Sequence, residues 1–144
     1  MGRKYARESA MKLLYQMEIN SDFTENATEI FFNNFTFDYG EIMYIENAAG
    51  TIIENLNIID KYIEDNIERW EIHRLAKVDL SILRIAIYEM LYRTDIPVQV
   101  SINEAIEISK KYSNEESPKF INGILGGFVR SGVLEEYGDK TTKG

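Results

Sequence analysis

Between Leu75 and Arg93 the apolar residues do not keep to one side. Leu75, Val78, Leu80, Ile82, Leu83, Ile85, Ile87, Met90 and Leu91 point in nearly every direction around a helix. A helix that is apolar all round belongs in the centre of a domain. A chain of 144 residues is long enough to bury one ordinary core around it. Thr94-Asp95-Ile96-Pro97 stops the segment. The rest of the chain must therefore supply amphipathic partners.

It does so with helical periodicity throughout. Ala6, Ala10, Leu13, Leu14 and Met17 make one stripe of a first helix, ended by Asn20-Ser21-Asp22. Thr24 or Asn26 can cap a short second helix with Ile30, Phe31 and Phe35 inward. Asp38-Tyr39-Gly40 breaks the chain. A third helix is expected over about 41–57, with Ile42, Ile45, Ala49, Ile52, Ile53 and Leu56 on one side, and a fourth over about 59–69. Glu71–Arg74 reads as a connector. Ser101-Ile102-Asn103-Glu104 has the form of a capping box opening a helix through Tyr112. Ser117-Pro118 reads as N-cap and first turn of a last helix carrying Ile121, Ile124, Leu125, Phe128 and Val129, with a stop at Gly132. The expectation is an all-α fold: a compact bundle of about seven helices around residues 75–93. Residues 1–134 form one domain, and 135–144 a flexible tail.

Composition narrows the chemistry. Zero cysteines exclude a disulfide framework, a thiolate zinc site and a cysteine nucleophile, and one histidine excludes a multi-histidine metal centre. No apolar run approaches the roughly 18 residues of a membrane span. The basic N-terminus lacks the apolar core of a signal peptide, so a cytoplasmic location is expected. The net charge of −8 argues at first against nucleic acid. Its distribution does not. Residues 1–17 hold four bases and one acid, residues 18–71 two bases and thirteen acids, and residues 72–144 ten of each. The acidity belongs to the middle of the chain.

Little points to catalysis. There is no strand to carry a phosphate-cradling glycine loop. His73 lies in a polar connector with no sequence-defined partner, and Asp79 and Glu89 lie within the central apolar helix, with Arg84 as one candidate partner. The first helix is more informative. Lys4, Arg7, Met11 and Tyr15 fall within about 80° of one another, with Arg3 beside them. Cations in a first turn oppose the helix dipole by about 0.3–1 kcal/mol each when exposed. An anionic partner would offset that cost, and a tyrosine two turns on could stack on an unpaired base. An ordinary solvated face is the alternative. A second surface combines Lys119, Gly123, Gly126, Gly127 and Arg130 within about 100°. Mid-helix glycines cost about 1 kcal/mol each, so a ligand, another backbone or a neighbouring helix of the same chain is expected to approach closely there.

These residues also carry a resemblance. Ala6-Arg7-Glu8-Ser9-Ala10 with Leu14-Tyr15, the run from Asp79 to Glu89, Ile96-Pro97, Ile102-Asn103-Glu104-Ala105-Ile106-Glu107 and Lys119-Phe120-Ile121-Asn122-Gly123-Ile124-Leu125 occur in an order and spacing that resemble the NusB family of transcription antitermination proteins over nearly the whole chain. The resemblance implies an all-helical fold and no catalysis or cofactor. It implies binding to the boxA element of ribosomal operon leader RNA together with a small-subunit ribosomal protein, NusE, and indirect association with other Nus factors and RNA polymerase. Carried over by position, it implies RNA contacts at Arg3, Lys4, Arg7, Tyr15, Lys119, Phe120 and Asn122. It places Asp79, Arg84 and Glu116 at or close to the ribosomal partner. It also implies a homodimer covering the RNA strip as an available state.

The chain departs from the family pattern where Tyr5 interrupts the basic run, where Leu80 stands at a commonly basic position, and at Gly126-Gly127. Two other readings compete. One is a protein-interaction module whose acidic middle docks a basic partner without touching RNA. The other is an accessory region of an RNA methyltransferase, expected to be without its enzyme because neither a nucleotide-binding sheet nor a catalytic cysteine is present.

Overall fold

The computed structural model describes residues 3–67 and 71–136. Seven α-helices follow one another: α1 Arg3–Asn20, α2 Glu25–Asn34, α3 Tyr39–Glu54, α4 Leu56–Glu64, α5 Lys77–Tyr92, α6 Val98–Tyr112 and α7 Ser117–Arg130. A 3-10 turn, Ile72–Arg74, precedes α5. No strand occurs among the described residues.

Helix α5 is the axis, as its all-round apolar pattern requires. Every residue from Asp79 to Leu91 is buried. Helices α1, α3, α4, α6 and α7 all pack against it, α1 also packs on α3, and α6 on α7. The α1 stripe of Ala6, Ala10, Leu13, Leu14 and Met17 is completely inside. In a core of this kind each Leu or Ile truncated to Ala removes about 2–5 kcal/mol. Ser21, at φ +51°, turns the chain out of α1, and Gly132, at φ +84°, marks the stop after α7.

Several local signals resolve differently from expectation. The Asp38-Tyr39-Gly40 break is the start of α3: the Asp38 carboxylate accepts from the Glu41 amide at 2.8 Å, and Glu41 Oε1 accepts from the Asp38 amide at 2.9 Å. This is a reciprocal capping box. The α3–α4 break falls at Asn55 rather than Asn57, and α4 ends at Glu64; Arg69, the expected end, lies outside the described residues. Ser101-x-x-Glu104 is not a cap. Helix α6 begins three residues earlier, directly after Pro97, and Ser101 is interior and buried. Ser117 also does not cap α7. The Asn114 carboxamide accepts from the Glu116 and Ser117 amides instead, at 3.0 and 3.1 Å. In both cases a buried carboxylate competes successfully for the serine hydroxyl. Helix α2 lies at the edge and buries Phe31 alone; Ile30 and Phe35 are about half exposed. The expected tail lies outside the described residues apart from Glu135 and Glu136, which finish a short helical turn over 133–136.

Candidate functional site

The polar residues of the central helix form two separate buried networks. Glu89 is completely buried and is held from three helices. Arg7 Nε of α1 donates to its Oε2 at 2.7 Å, Tyr44 of α3 to the same oxygen at 2.5 Å, and Ser101 of α6 to Oε1 at 2.8 Å. Arg7 Nη1 also lies 3.5 Å from Glu104. Burial alone would lower the Arg7 pKa, but its bond to Glu89 and the carboxylate charges raise it. Burial and the same carboxylate push the Tyr44 phenol well up. The second network is centred on Arg84. Its guanidinium forks onto both Asp60 oxygens at 2.8 Å, donates to Glu18 at 2.7 Å and lies over the Phe23 ring.

These networks place three of the expected site residues, Arg7, Arg84 and Asp79, inside the fold. Arg7 is 4 % exposed and Met11 is buried, so the basic strip read from α1 is divided: Arg3 and Lys4 face solvent, as does Lys12 outside the strip, Tyr15 is half-buried, and Arg7 points inward. The reason is that the strip lies beside the core stripe, and a partner carboxylate waits in the core. Arg84 pairs with neither Asp79 nor Glu89, and its charge is consumed within the chain. Asp79 is buried and accepts from Ser113 at 2.6 Å and Ser117 at 3.0 Å.

Other expected residues do come together. Asp79, Glu116 and Phe120 line one pocket of about 280 Å³ with Arg74 and Leu75. Lys119 and Asn122 are exposed on the same helix as Phe120. Arg3 is exposed on α1, 3.9 Å from Asp95 and over the Tyr44 ring. Of the α7 glycines, one meets the expected close approach: a Cβ at Gly127 would sit 2.6 Å from Asn66 Oδ1, whereas Gly123 faces open space. The neighbour is therefore the turn that follows α4 in the same chain. His73 is exposed and 3.1 Å from Glu71, in keeping with a surface connector.

Sequence reasoning missed one cluster. Glu8 of α1 accepts from Lys111 Nζ at 3.0 Å and from the Tyr112 hydroxyl at 2.8 Å, both at the end of α6. Adjacent Lys and Tyr at a helix C-terminus was the available signal, but its partner is about a hundred residues away. Burial alone would raise the Glu8 carboxyl; the two hydrogen bonds outweigh it and hold the group below its ordinary 4.5. The unfolded chain then takes up the proton first, so this stabilisation is lost as pH falls below 4.5. The stability difference between wild type and Glu8→Gln, followed by thermal unfolding, should narrow over that range. A constant gap would contradict the linkage.

Exposed cations and half-buried aromatics, on helices whose remaining charged groups are used in internal pairs, define a helical binding domain. Among the described residues no group of His, Asp and Glu could hold a metal ion, and no helix is long and apolar enough to cross a membrane. Residues 4–130 match the family model described as the NusB family. The protein named transcription antitermination protein NusB from Thermoanaerobacter pseudethanolicus is 50% identical over 137 residues, 94% of this chain and 96% of that protein. The protein of the same name from Acetivibrio thermocellus is 44% identical over 97% of each chain. Among solved structures, T. maritima NusB superposes with a TM-score of 0.86 at 35% identity, over 96% of this chain and 98% of that one. The NusB chain type in a crystal structure of antitermination factors NusB and NusE with double-stranded RNA shares the fold, with a TM-score of 0.79 at 23% identity over 90% and 96%. The chain belongs to the NusB family.

Proposed function

We propose that this chain is a transcription antitermination factor. It binds boxA RNA of ribosomal operon leaders together with NusE, and through other Nus factors helps RNA polymerase read through terminators in the cytoplasm. The reading rests on one observation above others: full-length similarity at 40–50% identity to proteins bearing that name. The solved complex of family members with NusE and RNA supports the choice of partners.

In this reading Arg3, Lys4 and Tyr15 on α1 and Lys119, Phe120 and Asn122 on α7 meet RNA, since they stand exposed or half-exposed on two helices. Glu116 and the pocket floored by Asp79 face the ribosomal partner. Arg7 and Arg84 hold the helices that carry these residues. The test is a gel shift with boxA RNA, with and without NusE. One small domain with few free cations is a weak reader, so NusE should tighten RNA binding. With three to five phosphate contacts, the slope of log K against log salt should be about −2 to −3.5. Equal RNA affinity with and without NusE, or a flat salt dependence, would overturn this reading. Binding of NusE with no RNA shift even in the complex would favour a pure protein-docking module.

A further inference from the structure

Lys12 and Lys111 come from helices far apart in sequence and converge on one aromatic ring. The Lys12 ammonium lies 5.1 Å from the centroid of Tyr112 and the Lys111 ammonium 5.2 Å from it. Aromatic faces attract cations, and here one ring gathers two. The acid that faces them is Glu8, which is bonded to Lys111 and Tyr112 and feels the charge of Lys12 as well. Two ammoniums against one carboxylate leave a local excess of positive charge. The dipole at the end of α6 accounts for Lys110 and Lys111 in its last turn. It does not account for Lys12, which stands in the middle of α1 with no ion pair among the described residues, nor for the convergence. Lys110 is set apart by its own pairing with Glu107 at 3.2 Å.

The position of the cluster is informative. Tyr15 is three residues beyond Lys12 on α1, so both lie on one side of that helix. Directly after Tyr112 in the chain, Ser113 shares a hydrogen bond of 2.8 Å with Ser117, the first residue of the helix that carries Lys119 and Phe120. The cluster is thus tied to α1 through Lys12 and, through residues 112–117, to the start of α7.

We propose that Lys12 and Lys111, held over Tyr112, form a phosphate-binding station for single-stranded RNA that links those two stretches into one continuous track. The inference rests on the RNA-binding function proposed above and adds residues to it. The Tyr112 ring and Glu8 act as the support that keeps both ammoniums in place, and the lysines contact the backbone without reading sequence.

The experiment is a salt titration of boxA RNA binding, in the presence of NusE, for wild type, Lys12→Gln, Lys111→Gln and the double variant. Each lost phosphate contact should reduce the steepness of the log–log slope by about 0.7. At about 0.15 M salt this corresponds to roughly fourfold weaker binding per lysine and about 15-fold for the pair. Lys61→Gln, a similarly exposed lysine of α4 paired with Asp65, should change nothing. Lys111→Arg should retain the wild-type slope. Thermal unfolding of Lys12→Gln should show at most a small fall in midpoint, because only an exposed cation–π contact and a weak attraction to Glu8 are removed; with binding measured well below that midpoint, an affinity loss there does not come from misfolding. A double variant with wild-type slope and affinity would overturn the station while leaving the RNA-binding reading intact. A wild-type protein that fails to shift boxA RNA even with NusE would overturn both.

Discussion

Arg7→Ala is expected to lower the stability of the fold by about 3–5 kcal/mol, because it leaves Glu89 charged, fully buried and short of its counter-ion. Tyr44 and Ser101 would still donate to the carboxylate, which softens the loss but supplies no positive charge. In a domain of this size such a change lowers the unfolding midpoint by roughly 10 °C or more. Truncating Arg7 also releases the start of α1 from α3, α5 and α6 at once, since the Glu89 network is where all four helices meet. A double-mutant cycle with Arg7→Gln and Glu89→Gln separates the pair from its surroundings. A coupling energy above about 1 kcal/mol is expected for groups in one network. The same variants decide between support and contact. If Arg7 only holds α1, the folded Arg7→Gln protein keeps the wild-type salt dependence of RNA binding. A direct phosphate contact would show as a slope shallower by about 0.7. Unchanged stability on Arg7→Ala would contradict the buried pairing.

The second large effect belongs to Arg84. Its guanidinium is about 5 % exposed and serves Asp60 of α4 and Glu18 of α1 together. Arg84→Ala is expected to lower stability by about 2–4 kcal/mol, somewhat less than Arg7, because both carboxylates retain more than a fifth of their surface to water and can rehydrate. Lys cannot replace it. A lysine offers a single point charge where the fork onto Asp60 needs two parallel donors. Arg84→Lys should therefore recover only part of the loss in denaturant unfolding. Full stability in Arg84→Ala, with a defect confined to NusE binding, would restore Arg84 to the partner surface and contradict an internal role.

Both predictions turn on long-range pairs, and this is where sequence reading and structure part. The helices were legible because their signals are local. The α1 stripe repeats at helical spacing within a dozen residues, Pro97 and Gly132 punctuate where their backbone chemistry demands, and an apolar pattern all round 75–93 has one place to go. The charged residues of α5 were legible as unusual, but their partners were not. Arg84 sits five residues from both Asp79 and Glu89, and local proximity suggested it as their counter-ion. A five-residue step on a helix points the side chains apart, and each found a partner from another helix instead.

The two serines show the same division. Ser101-x-x-Glu104 has the local form of a helix start, and Ser117 precedes a proline. Yet each hydroxyl is buried against a carboxylate, Glu89 and Asp79 respectively. A buried carboxylate without donors is costly, so satisfying it outweighs a cap that the helix start can do without. Arg7 followed from the same preference: angle on the helix placed it with Lys4 and Tyr15, but Glu89 drew it inward. The close approach expected at all three glycines of α7 holds at Gly127, where Asn66 arrives, and not at Gly123, which faces open space, or at Gly126, where only Arg130 of the same helix comes near.

The sequence by itself thus determined the helical class, the central position of residues 75–93, the segregation of acid into the middle of the chain and the stretches that place it among its relatives. These are properties of neighbours along the chain, repeated at short period. The tertiary structure alone decided which charges are consumed and which are free: Arg7 and Arg84 inside, and Lys12 and Lys111 together over Tyr112. Ion pairing acts through space, and packing helices brings together groups separated by up to about a hundred residues, a distance over which local pattern carries no information.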